Sequence, residues 1–64
     1  MDTSDFRVGD IVVAVVAIRV SHYRIISIGT SGVVREVYSD RVCVIFEGYG
    51  QVYVWPNEIK KAES

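Results

Sequence analysis

One cysteine, one histidine, one proline, one tryptophan and one methionine are all that 64 residues contain of these types. A single cysteine, Cys43, cannot close an intrachain disulfide, and Cys43 with His22 falls short of the four ligands of a tetrahedral zinc site. No metal and no cofactor is therefore expected. The chain also lacks an excess of either charge: seven basic against eight acidic residues leave a net charge of -1. Non-specific nucleic-acid affinity comes mainly from neutralising phosphates, so this balance argues against a generic polyanion binder. No long apolar run is present. Residues 11–17, IVVAVVA, are far shorter than the roughly 18 to 20 apolar residues that span a bilayer. The opening MDTSDFRVGD is acidic where a secretory leader is basic. With a lone cysteine, this points to a reducing, cytoplasmic setting.

What is abundant is apolar side chain, at 50% of the residues. A chain this short forms one domain and buries a smaller fraction of its surface than an average domain, which leaves it marginally stable. Disulfides and metals being excluded, oligomerisation or a partner is the remaining means of support. The high apolar content then implies either a dense core or apolar side chains left outside for a partner.

The pattern along the chain is that of strands. Residues 1–5 read as a polar tail, and Gly9-Asp10 as a turn feeding residues 11–17, whose β-branched valines and isoleucine favour an extended backbone. Residues 17–28, AIRVSHYRIISI, hold no sustained period and read as a long loop with an irregular ribbon, or a bent strand. Gly29-Thr30-Ser31-Gly32 supplies the next turn. Residues 33–38 and 41–46 follow as a hairpin across Ser39-Asp40. Val42, Val44 and Phe46 alternate with Arg41, Cys43 and Ile45, giving a core face. In the preceding strand Val34 and Val37 are three apart, which breaks period two unless a bulge sits near Arg35-Glu36. That bulge pairs Val37 with Val42 and Val34 with Val44. The second hairpin turns at Gly48-Tyr49-Gly50, and a three-residue loop there pairs Phe46 with Val52 and Val44 with Val54. Pro56-Asn57-Glu58 suits a single helical turn, because proline lacks the donor a ladder needs. Ile59 returns to the core, and residues 62–64 form a C-terminal tail.

Strand, long loop, three-stranded meander, tight helical turn and last strand give an all-β fold. It reads as a small SH3-like barrel of about five strands over residues 6–61, with a short 3-10 turn near Pro56 to Glu58. G-D-I-V at residues 9–12, G-x-V-x-x-V at 32–37, V-x-V-x-F at 42–46 and P-N-E-I at 56–59 resemble the small SH3-like barrels of bacterial accessory proteins. The same cadence resembles subunit IV of the photosystem I reaction centre and KOW-type ribosomal and transcription-factor modules. The strand Val52-Tyr53-Val54-Trp55-Pro56 is similar to the last strand of the tetrameric type II dihydrofolate reductases. Tyr53 and Trp55 stand where that family has its pore glutamine and tyrosine, so the polar group used on folate and nicotinamide is missing. What the resemblance implies is a strand facing a subunit interface.

With the valines and Phe46 inward, Cys43, Ile45, Tyr53 and Trp55 point outward, Ile45 beside Tyr53 and Cys43 beside Trp55. Tyrosine and tryptophan bury much area at low entropic cost and are enriched at binding hot spots. The plainer reading is that residues 17–28 fold over this patch and make it core. Tyr38 and Arg41 flank a turn and could stack a base, or form an ordinary cross-strand pair. Tyr49 at a hairpin tip resembles a recognition finger, though exposed turns often carry tyrosine. His22 reads as a solvated loop residue, Cys43 as half-buried packing rather than a nucleophile, and Arg7 with Lys60-Lys61 as a solvating rim. The function expected is a non-enzymatic protein-interaction or accessory module, associating with itself or another protein through Cys43, Ile45, Tyr53, Trp55, Tyr38 and Tyr49. The alternative is KOW-like nucleic-acid binding through Arg19, Arg24, Arg35 and Arg41, and the least favoured is an oligomeric enzyme like the type II dihydrofolate reductases.

Overall fold

A computed structural model describes residues 3–62. Met1 and Asp2 of the expected N-terminal tail, and Glu63 and Ser64 of the C-terminal one, lie outside the described residues. Seven strands and one 3-10 turn follow in order: β1 (Ile11–Ala14), β2 (Ile18–Ser21), β3 (Arg24–Ile26), β4 (Ser31–Val37), β5 (Val42–Phe46), β6 (Gly50–Val54), the turn at Pro56–Glu58, and β7 (Ile59–Lys61). Five strands form one antiparallel sheet in the order β6-β5-β4-β1-β7, and β2 with β3 forms a separate ribbon. The expected closed barrel is therefore coarser in fact: the hydrogen-bonded sheet ends at β6 on one side and β7 on the other. The chain passes between these edges through Pro56, which has no N–H to continue a ladder.

The inner face is built by period-two alternation. Val12, Ala14, Val34, Val42, Val44, Phe46, Val52, Val54 and Ile59 are buried together with Ile18 and Ile26 of the ribbon. Near Arg35 the chain inserts the expected bulge: Val34 opposes Val44, Glu36 opposes Cys43, and Val37 opposes Val42. The extra residue keeps Val34 and Val37 on the core side of one strand despite their odd spacing.

Three expectations are corrected. The β5–β6 register is two residues away from the expected one, with Phe46 opposite Gly50, Val44 opposite Val52 and Val42 opposite Val54. The loop is residues 47–49, closed by a bond from Tyr49 N–H to the Phe46 carbonyl (3.0 Å). Gly48 and Gly50 take φ of 85° and 81°, a region costly for side-chain-bearing residues. A slip of two preserves which face each residue occupies, so the core valines stay inside. Strand one stops at Ala14, before the end of the apolar run, although the Val15 N–H still donates to the Glu58 carbonyl (2.9 Å) in the β1–β7 register. Residues 17–28, by contrast, take the first of their two expected forms, an irregular ribbon, shifted in register between Arg19 and Ser21. At the N-terminus Thr3 is buried, and its hydroxyl donates to the Tyr38 carbonyl.

Gly32 marks a close approach. A Cβ there would lie 2.7 Å from Val44 Cγ1 and 2.8 Å from the Ile45 carbonyl oxygen, so β4 crosses β5 where no side chain fits. That contact sets the strands whose other face carries the site.

Candidate functional site

The outer face of the five-stranded sheet is arranged in rows set by register. Ile11 opposes Val33, Val33 opposes Ile45, and Ile45 opposes Gln51, so three exposed branched aliphatic residues lie side by side across β1, β4 and β5. A shallow depression of about 240 Å³ runs along this row, lined by Ile11, Ser31, Gly32, Val33, Ile45 and Glu47. Its floor is apolar and Glu47 is its one charged wall. In the next row Glu36, Cys43 and Tyr53 oppose one another. Cys43, not Ile45, is thus the neighbour of Tyr53, as the two-residue register change requires.

An aromatic and basic cluster completes the face. The Tyr38 and Tyr53 rings are 6.0 Å apart and tilted by 45°. The Arg41 guanidinium sits 5.8 Å from the first ring centroid and 5.5 Å from the second, within the range of cation–π attraction. Arg41 also approaches Asp40 at 3.9 Å, an exposed pair of small energetic value. Tyr38 donates its phenol to Glu36 Oε2 (2.9 Å). This bond is the largest cause pushing the Tyr38 pKa up to about 12, followed by desolvation and the nearby Glu36 charge. Trp55 stands at the end of β6, its backbone N–H donating to Glu58 Oε1 (2.8 Å) across the 3-10 turn.

The expected site residues divide. Ile45, Tyr53 and Trp55 are 41%, 52% and 55% exposed, and Tyr38 lies beside them, partly exposed. Cys43 is corrected: it is 1% exposed rather than half-buried. Tyr38 bonds to Glu36 and meets the ring of Tyr53, the two residues opposite Cys43 on the neighbouring strands. Burial, together with the Glu36 charge, raises the thiol pKa, with Arg35 acting in the opposite direction. Tyr49 is half-buried against the core, and its hydroxyl donates to the Ile25 carbonyl (3.0 Å). Arg24 lies 4.8 Å over its ring and donates to the Gly48 carbonyl. The ribbon thus fastens to the hairpin tip, and the outer face stays uncovered.

The arginines do not converge. Arg24 is engaged at the hairpin tip, Arg19 is on β2 opposite Ile25, Arg35 is in the β4 bulge, and Arg41 is on the aromatic cluster. His22 makes an edge contact with Tyr23 (6.3 Å). Among the described residues no group of three or more histidine, cysteine or acidic side chains could hold a metal ion, and no helix is long and apolar enough to cross a membrane. Sequence reasoning missed Ile11, Val33, Gln51 and Glu47. The signal was present for Ile11 and Val33, since each is adjacent in sequence to an inward-facing residue. Protein-family models, curated proteins and solved structures yield no match to this chain.

Proposed function

We propose that this chain is a non-catalytic protein-interaction module, SH3-like in strand order, that takes a protein partner on the outer face of β4, β5 and β6. The observation that carries the reading is that Ile11, Val33 and Ile45 in one row, and Tyr38, Tyr53 and Trp55 beyond Gln51 and the buried Cys43, are all exposed on the outer side of one sheet. Monomeric proteins rarely leave large contiguous apolar patches in water. Aromatic residues with one arginine are the composition found at hot spots. Strand, ribbon, three-strand meander, 3-10 turn and closing strand support the SH3-like reading of the fold. The buried, unpaired Cys43 fits a reducing cytoplasm.

Chromatography of cell extract tests this. The wild-type chain is expected to elute in an assembly larger than itself. Ile45→Glu and Trp55→Ala should each weaken that assembly by roughly 30-fold or more, the size of a ~2 kcal/mol hot-spot loss. Both variants change exposed positions and should keep the wild-type circular dichroism. Unchanged elution of both variants would overturn the reading. An assembly dissolved by nuclease and by moderate salt would replace it with nucleic-acid binding.

A further inference from the structure

The two edges of the five-stranded sheet are built differently. β7 is three residues long and carries Lys60 and Lys61, and Lys61 approaches Asp10 at 3.7 Å. Short length and lysine are the usual means of keeping an edge from pairing with another chain. β6 has neither. Its five residues, Gly50-Gln51-Val52-Tyr53-Val54, contain no charge and no proline, and Pro56 comes only after Trp55.

The edge also presents backbone groups in usable positions. Trp55 N–H points to Glu58 and not to β5. Backbone groups alternate sides along a strand, so those of Tyr53 and Gln51 face the open side of β6. We infer that β6 pairs antiparallel with β6 of a second copy of this chain about a two-fold axis, extending the sheet from five strands to ten. Centred on Val52, the pairing sets Val52 against itself, Gln51 against Tyr53 of the second copy, and Gly50 against Val54. Inner residues meet inner residues and outer meet outer, as sheet continuity requires. An uncharged strand does not repel its own copy, whereas two β7 edges would bring four lysines together. Gln51 Nε2 already lies 3.4 Å from Tyr53 Oη within one chain, so this row is suited to pair with itself. A closed two-fold also adds support to a small domain whose single cysteine cannot close an intrachain disulfide.

This pairing goes beyond the face docking proposed above and does not depend on it. One five-residue strand with its flanking aromatics is at the small end of protein interfaces, so the dimer is reversible on dilution. Sedimentation equilibrium over a dilution series should show the mass rising from 7.2 kDa to twice that value. Amide exchange at Gln51 and Tyr53 should slow over the same range. Gln51→Pro removes an edge donor, and the double variant Gln51→Lys with Tyr53→Lys places like charges opposite one another across the axis. Each should weaken dimerisation about tenfold or more, while Ile45→Glu, on β5 and one strand in from the pairing edge, should not. Should Gln51→Pro fail to fold, the double lysine variant decides alone. A monomer at all concentrations, an open-ended series of larger species, or a dimer lost in Ile45→Glu but kept in the edge variants would overturn the pairing. The last result would leave the face proposal standing.

Discussion

At single residues, chemistry and packing set what each position does. Gly32 is required by space, not by backbone angle, because its Cβ would meet Val44 and the Ile45 carbonyl oxygen below 3 Å. Gly32→Ala is expected to destabilise the fold by about 1–3 kcal/mol, the cost of overpacking, read as a lower urea midpoint. Tyr38 gives a pH signature. Its phenol is held near 12 by the bond to Glu36, above the ordinary value near 10. The folded state therefore keeps this proton more tightly than the unfolded one. Its contribution to stability is fully present below pH 10 and is lost as pH rises from 10 through 12. The ultraviolet titration difference between wild type and Tyr38→Phe should show a phenol ionising near 12, and Glu36→Gln should bring it down. A Tyr38 that ionises near 10 would contradict the bond. The full burial of Cys43 on the outer side of β5 was not legible in the sequence, because strand alternation tells which side a residue faces and not how its neighbours' side chains lie over it.

Local patterning carried the elements further than their connections. The β4 bulge was readable because Val34 and Val37 could both face the core only if one residue was inserted between them. The β5–β6 register was not, since a slip of two leaves every side chain on the same face and alternation cannot separate the two pairings. Residues 17–28 were opaque for a different reason. Their place depends on tertiary contacts: Ile18 and Ile26 enter the core, while Tyr49 and Arg24 tie the ribbon to the hairpin tip. Tyr49→Phe removes the hydroxyl bond to Ile25 and should cost about 1 kcal/mol. The loss should appear mainly as faster amide exchange in β2 and β3. Equal acceleration throughout the sheet would show that the ribbon is not held locally.

For the molecule as a whole, half its residues are apolar, yet the core takes only part of them. Among the described residues, other large apolar side chains are exposed on the sheet's outer face, on the ribbon, and at Val8, Val16 and Ile28 between the strands. The claim most open to refutation is that the outer face of β4 to β6 is the surface met by a protein partner. A photo-crosslinking residue placed at Ile45 or Tyr53, and at Tyr23 on the ribbon as control, tests it directly in cells. The account predicts a discrete protein adduct from positions 45 and 53 that disappears when Trp55→Ala is added, with no such adduct from position 23. Adducts of equal yield from all three positions, or none from 45 and 53, would contradict it.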